Sequence, residues 1–308
     1  MVLVGTWRDG LFVIADEEPH QELANHSIGA LVSDGRGGAL AIVDERSLCH
    51  RAPDGVWRTM ARAEVNLACC VALGDVIYAG TDDARVLRLG ADGSIEPLPG
   101  FDAVDGRDTW YAGAALIDGK LVGPPLGIRS ITATPDVLLA NVHVGGIPRS
   151  DNGGVTWQPT IDIDSDVHEV RAHPSRSDIV VAAAAVGLCI SRDAGVTWKI
   201  EQEGLHASYC SAVALTGDDI LVAASSDHFA AQGRIYRRRL DGDGALVALS
   251  GGFPSWIDGI ADTHCISAEG SAVAIADRAG NLYLSGDCAH SWSRRAGGLP
   301  SPSAVLMV

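Results

Sequence analysis

Ser191-Arg192-Asp193-Ala194-Gly195-Val196-Thr197-Trp198 reads as Ser-x-Asp-x-Gly-x-Thr-Trp, and two imperfect copies of it stand at Ser150 to Trp157 and Ser285 to Trp292. Each fixed position suits a tight turn between two strands. The Asp193 carboxylate can accept backbone N-H groups of the turn, and Gly195 allows a backbone conformation that a side chain would penalise. Thr197 and Trp198 then open a strand, where a β-branched residue and a large aromatic fit a half-buried pleated surface. The first copy has Asn152 for Asp, and the last has Ala289 for Gly and Ser291 for Thr. Repetition of one turn fixes an architecture before it says anything of function.

Hydrophobic runs of strand length, punctuated by Gly, Asp, Asn and Pro, fill the chain without a sustained helical period, so the fold class is all-β. If the turn joins the third and fourth strands of a four-stranded blade, the starts at 150, 191 and 285 leave room for one more blade, whose turn is the degenerate Arg239-Leu240-Asp241-Gly242-Asp243-Gly244. Ala52-Pro53-Asp54-Gly55 and Gly90-Ala91-Asp92-Gly93 supply two further turns upstream. Six blades result, at about residues 26 to 61, 66 to 100, 127 to 161, 166 to 204, 208 to 251 and 262 to 299. The remaining pieces are Val2 to Thr6, Gly10 to Ala15 and Glu22 to Ala24 at one end and Ser303 to Val308 at the other. They make a seventh blade if the C-terminal strand is innermost and the N-terminal strands lie outside it, which closes the ring and removes open sheet edges. The expectation is a seven-bladed β-propeller forming a single domain over residues 1-308, with a long loop insertion at about 101-126 on the upper face.

The turn resembles the Asp-box, or BNR repeat, of the sialidase-like β-propeller superfamily. That resemblance implies that the boxes lie on the face away from the ligand site, so their residues are structural. It also implies, for a true sialidase, an arginine triad, a tyrosine nucleophile paired with a glutamate, and an aspartate acid. This set is not matched: the N-terminal Arg-Ile-Pro type motif is absent, and Arg129 is the one arginine at an expected strand entry. Other Asp-box propellers include xyloglucan-active glycosidases, which use two carboxylates. Here Asp166, Glu169, Asp258 and Asp262 are available. The resemblance extends equally to non-enzymatic assembly factors and sorting receptors, which bind a peptide or a partner protein.

With 39 acidic and 23 basic residues, the formal net charge of -16 disfavours nucleic acid and anionic membrane surfaces as partners. An anionic small molecule held by local arginines stays open. The N-terminus has no signal-peptide pattern and no apolar run is long enough to span a bilayer. Cys69, Cys70, Cys189, Cys210 and Cys265, among seven cysteines, fall within apolar runs. Free buried thiols in a cytoplasmic location are the expectation.

In a propeller, loops entering innermost strands and leaving second strands gather at one mouth of the central channel. His26, Asn66, Arg129, His168, Tyr209 and His264 fall at the entries, and Asp44, Asp82, His143, Asp227, His228 and Asp277 at the exits. Asp44, Asp82 and Asp277 precede turns and read as turn residues, and His173 before Pro174 reads as structural. His143 continues a strand into Gly145-Gly146, where a ligand can approach closely. Asp166 and His168 share one side of an extended strand, so the carboxylate can orient the imidazole.

The catalytic candidates are therefore His143, His168, Asp166, Tyr209 and His264. The ligand-binding candidates are Arg129, Trp110, Tyr111, His228, Trp256 and His26, with Phe229 as a further wall. The expected ligand is a small polar molecule or a carbohydrate, with histidine acid/base chemistry of hydrolase, lyase or isomerase type. No cofactor is implied by a local motif. Two or three histidines from adjacent blades could still hold a divalent metal, although no His-x-His or Cys-x-x-Cys spacing marks one.

Overall fold

The computed structural model describes residues 1–15, 19–90, 92–112, 115–117, 120–122 and 126–308. Seven antiparallel sheets surround a central channel. Blade one joins the innermost strand Pro302–Met307 to Val2–Thr6, Leu11–Ile14 and His20–Glu22. Val2 pairs with Met307 and Val4 with Val305, so the chain's two ends close the ring. Blades two and three start at Ile28–Ser33 and Leu67–Leu73, blade four at Ile128–Ala133, and blades five, six and seven at Val167–Ala172, Tyr209–Thr216 and Ile266–Glu269.

Two local departures from the expected pattern have physical causes. The outermost strand of blade one is His20–Glu22 rather than Glu22 to Ala24, because Leu23 and Asn25 adopt positive φ and turn the chain away. Blade four has three strands, Ile128–Ala133, Leu138–Val142 and Arg149–Ser150, with one bridge between Arg149 and Gln158 where a fourth would run. Pro159 follows immediately and has no N-H to extend the ladder.

The core is divided among the seams. Along the first strand, Val2 and Val4 pack with Ala274, Ala276 and Leu282 of blade seven, whereas Leu3 packs with Ile28 and Leu31 of blade two. Blade six repeats the division: Ala212 and Leu221 face blade seven, while Val213 and Val222 face blade five. Successive side chains point to opposite sheet faces and both faces are covered, so the strands read as unbroken apolar runs.

The three repeated turns share one hydrogen-bond scheme. In the first complete copy, the Ser191 hydroxyl donates to Asp193 and accepts Gly195 N-H at 2.8 Å, while Asp193 accepts Thr197 N-H at 2.8 Å and the Thr197 hydroxyl at 2.6 Å. Asp287 accepts Ser291 in the same way, and Asn152 accepts Thr156 N-H while donating to its hydroxyl. Gly154, Gly195 and Ala289 hold the equivalent positive-φ position. The register of blade five aligns Ala172, Val180 and Ser191, which puts the turn at the end opposite the strand entries. We call the entry side the upper face.

The connection after blade three starts low. Gly100 lies against Val155 of a repeated turn and Phe101 packs edge-on against Trp157, 5.0 Å between ring centres. It climbs through two short 3-10 turns, Pro99–Ala103 and Arg107–Thr109, until Tyr111 bridges Val144 on the upper face. Beyond it, Ala115–Ile117 pairs with Lys120–Val122, the hairpin expected from the sequence; the Asp118-Gly119 turn lies outside the described residues. Among the described residues, no helix is long and apolar enough to cross a membrane.

Candidate functional site

The innermost strands of blades two to six share an irregularity at their upper ends. Register shifts between Ile28 and Ala30, Leu67 and Cys69, Ile128 and Ser130, Val167 and Glu169, and Cys210 and Ala212 leave one extra residue in each. Such bulges bend a strand and redirect the extra side chain. The extra residues are Gly29 and Ala68 in blades two and three, then Arg129, His168 and Ser211 in blades four to six. One backbone device, repeated around the ring, carries chemistry on one arc of it.

His143 leaves the second strand of blade four, its N-H bonded to Gly127 O at 3.2 Å. Asp166 caps the 3-10 turn Ile163–Ser165 at φ +48°, a conformation that aspartate tolerates better than most residues. These elements bring His143 Nε2 to 3.3 Å and His168 Nε2 to 3.7 Å from the same Asp166 Oδ1. Neither approach has hydrogen-bond alignment, and Asp166 Oδ1, His168 Nε2 and His143 Nδ1 are buried without a partner. His168 Nδ1 donates to Cys210 O at 2.6 Å, which leaves a lone pair on Nε2 of the neutral ring. The Tyr209 ring packs tilted against His168, with ring centres 4.5 Å apart.

Electrostatics follow from burial and from Arg129. Desolvation, assisted by the Arg129 charge and against the pull of Asp166, lowers His143 to about 4, so its imidazole is neutral at pH 7. Burial would raise Asp166, but its carboxyl is held below the ordinary range, with the Arg129 charge contributing. Burial and the nearby Asp262 and Asp166 carboxylates push the Tyr209 phenol up, so it stays a hydroxyl donor.

The entry into blade seven crosses the channel mouth. Thr263 Oγ1 reaches His168 O at 3.4 Å and Ser211 O at 3.3 Å, and His264 Nε2 donates to Arg129 O at 3.0 Å. Asp262 sits between Arg278, at 3.5 Å, and Arg129, at 4.0 Å. Burial opposes its ionisation, but Arg129, His228 and Arg278 hold the carboxyl low. Beneath lies Glu169, fully buried, accepting from Arg171 at 2.6 Å and from Val213 N-H at 2.9 Å.

The structure thus brings together Arg129, His143, Asp166, His168 and Tyr209, with His228 alongside through Arg278, which donates to its carbonyl at 2.7 Å. Other candidates lie elsewhere. His264 engages both ring nitrogens, one on Arg129 O and the other facing Arg171 and Glu169, so it positions the strand entry and has no nitrogen left for a substrate. Trp110 is buried with Phe101 and Trp157 under the Arg107 guanidinium, because a strandless edge of blade four needed apolar cover. Tyr111 is exposed beside Val144. Trp256 lies under the Arg234 guanidinium, 4.3 Å away, and meets His206 edge-on at 4.9 Å, at the outer rim of blade six. His26 pairs with Asp44 at 2.6 Å on exposed blade two, and Asn66 with Asp82 at 2.9 Å on blade three. Sequence reasoning passed over Thr263 and Arg278. The signal for Arg278 was its place directly after the exit residue Asp277. Two open clefts, about 450 and 320 Å³, lie on the lower face beside the repeated turns.

No family model matches the chain, and no curated protein matches it. Solved structures do. A computationally designed protein aligns with TM-score 0.59 at 14% identity, covering 97% of this chain and 85% of its own. YCF48 bound to D1 peptide aligns with TM-score 0.58 at 15% identity, over 92% and 87%. An ancestral GH74 enzyme aligns with TM-score 0.61 at 14% identity over 92% of this chain, which spans only 37% of that enzyme. At such identities the likeness establishes the β-propeller fold and nothing finer.

Proposed function

We propose that the upper mouth of the channel, over blades four to seven, binds a small polar or carbohydrate-like molecule, with Arg129 meeting an anionic group and the Tyr209 hydroxyl meeting a ligand oxygen. The observation that carries this is the placement of Arg129 and His168 on bulges whose counterparts are Gly29 and Ala68. A purely structural ring would be satisfied by the small residues. The Tyr209 hydroxyl, kept protonated by burial and the nearby carboxylates, suits hydrogen-bond donation to a ligand oxygen.

A carboxylate-dependent glycosidase has less support. Glu169 is committed to Arg171 and Val213, and Asp258 is exposed on the outer strand Ile257–Asp258 beside Asn281; Asp166 and Asp262 remain, and both are held low rather than raised as a general acid requires. A second reading, a peptide-binding rim, draws on the exposed Phe229 and Trp256. The shared hydrogen bonding of the three turns supports reading them as Asp-boxes within a single domain. Seven free cysteines, six of them buried, support a reducing compartment such as the cytoplasm.

The test is NMR titration of the full chain with uronic acids, sugar phosphates and neutral oligosaccharides. Binding is expected to perturb residues near Arg129 and His143, and Arg129→Ala is expected to weaken it about ten-fold or more. Perturbations confined to the lower clefts, or an unchanged affinity in Arg129→Ala, would overturn the assignment.

A further inference from the structure

We propose that His143, Asp166 and His168 bind one divalent transition-metal ion of the zinc class at the channel mouth. The inference deepens the ligand-binding reading above and rests on the same site. These three offer ligand atoms that all lie within 4.8 Å of one another, on side chains from two adjacent blades.

Three observations converge on a cation. His168 Nδ1 is engaged with Cys210 O, and its Nε2 faces Asp166 Oδ1 with both atoms buried and without a hydrogen-bond partner. Buried polar atoms left unpartnered face to face are costly, and a cation placed between them would satisfy both. Next, the spacing fits. Ligands about 2.1 Å from a tetrahedral zinc stand roughly 3.4 Å apart, and the two imidazole nitrogens lie 3.3 and 3.7 Å from Asp166 Oδ1. Last, the His168 contact to Cys210 O is the kind of outer hydrogen bond that fixes the tautomer and orientation of a metal-bound histidine.

Two imidazoles and one carboxylate match the donor preference of zinc, cobalt and related ions over calcium or magnesium. Three protein ligands leave a fourth position for a water or a ligand oxygen, as in metal sites that meet small molecules. Other histidine-carboxylate pairs lack this character. His26–Asp44 and His50–Asp34 are two-membered, and each is closed at hydrogen-bond distance, 2.6 and 2.8 Å.

The experiment is titration of the full chain with Co2+ and Zn2+, read by stoichiometry and by the visible absorption of bound cobalt. One ion per chain with a tetrahedral cobalt spectrum is expected. Asp166→Asn is the decisive variant, because asparagine is at home in the positive-φ position and the fold should stand, as circular dichroism would verify. It is expected to weaken cobalt binding at least about 100-fold, as is His143→Ala, while His26→Ala leaves it unchanged. Failure of the wild-type chain to bind either ion, or an unchanged spectrum in Asp166→Asn, would sink the proposal even if sugar binding at Arg129 persists. Retention of cobalt by Arg129→Ala supports the metal site whether or not that variant still binds a sugar.

Discussion

His168 gives its Nδ1 proton to the carbonyl oxygen of Cys210 at 2.6 Å, across the seam between blades five and six. The Cys210 carbonyl cannot donate, so the bond selects one tautomer of a ring that burial keeps from water. Long-range nitrogen-proton NMR on the metal-free protein near pH 8 is expected to find His168 in the Nδ1-H form. An Nε2-H pattern would contradict the geometry.

Glu22, at the edge of blade one, is clamped by blade two. Arg51 donates to it twice at 2.8 Å and Trp57 Nε1 once at 2.7 Å, with the carboxylate mostly buried. Glu22→Gln is expected to cost about 2 kcal/mol in denaturant melts at pH 7. The interaction also carries a pH signature. Burial would raise this carboxyl, but Arg51 and Trp57 hold it below its ordinary 4.5. Its contribution is therefore complete above about pH 4.5 and is lost as pH falls through the lower folded value. The wild-type minus Glu22→Gln difference should shrink across that acid window, and a difference growing there would be the wrong sign.

Asp193→Ala removes four hydrogen bonds from one repeated turn and is expected to cost about 1 kcal/mol, by analogy with a lost cap. Because the turn lies on the lower face, cobalt binding should be unchanged. A matching loss of metal affinity would show that the two faces are not independent.

Gly80 lies at a tight approach between blades three and four. A Cβ there would stand 2.6 Å from Ile128 and 2.8 Å from the Cys69 sulfur, and Gly5 meets Ile28 in the same way one third of the ring away. Gly80→Ala is expected to destabilise by about 1–3 kcal/mol through overpacking, read as a lower thermal midpoint. A stabilised variant would mean that the seam can open at no cost.

Much of this molecule is legible in its residues, for physical reasons that also mark where reading stops. Period-two strands buried on both faces and a turn repeated at fixed spacing determine the ring, including its closure by Pro302–Met307. His143, Asp166 and His168 stand out because titratable groups interrupt strand ends that packing would fill with small residues. What the chain does not disclose locally is where its connections travel. Thr263 looks like an ordinary loop residue, yet with His264 it crosses the mouth to reach His168, Ser211 and Arg129. Trp110 looks like a pocket wall, yet it covers the edge that blade four leaves without a fourth strand. Both outcomes depend on neighbours distant in sequence.

Pairing Val2 with Met307 has a kinetic meaning as well. The strands of blade one that come first along the chain must wait for the last to arrive, with every other blade lying between them in sequence. A contact of such separation closes late, since its entropic cost is met only after the intervening blades have condensed. Until then Val2–Thr6 presents a bare apolar edge, and the half-made ring is the species most exposed to pairing with the wrong neighbour. The ring's last seam is thus the step at which chaperoning or crowding would decide between a closed propeller and an aggregate.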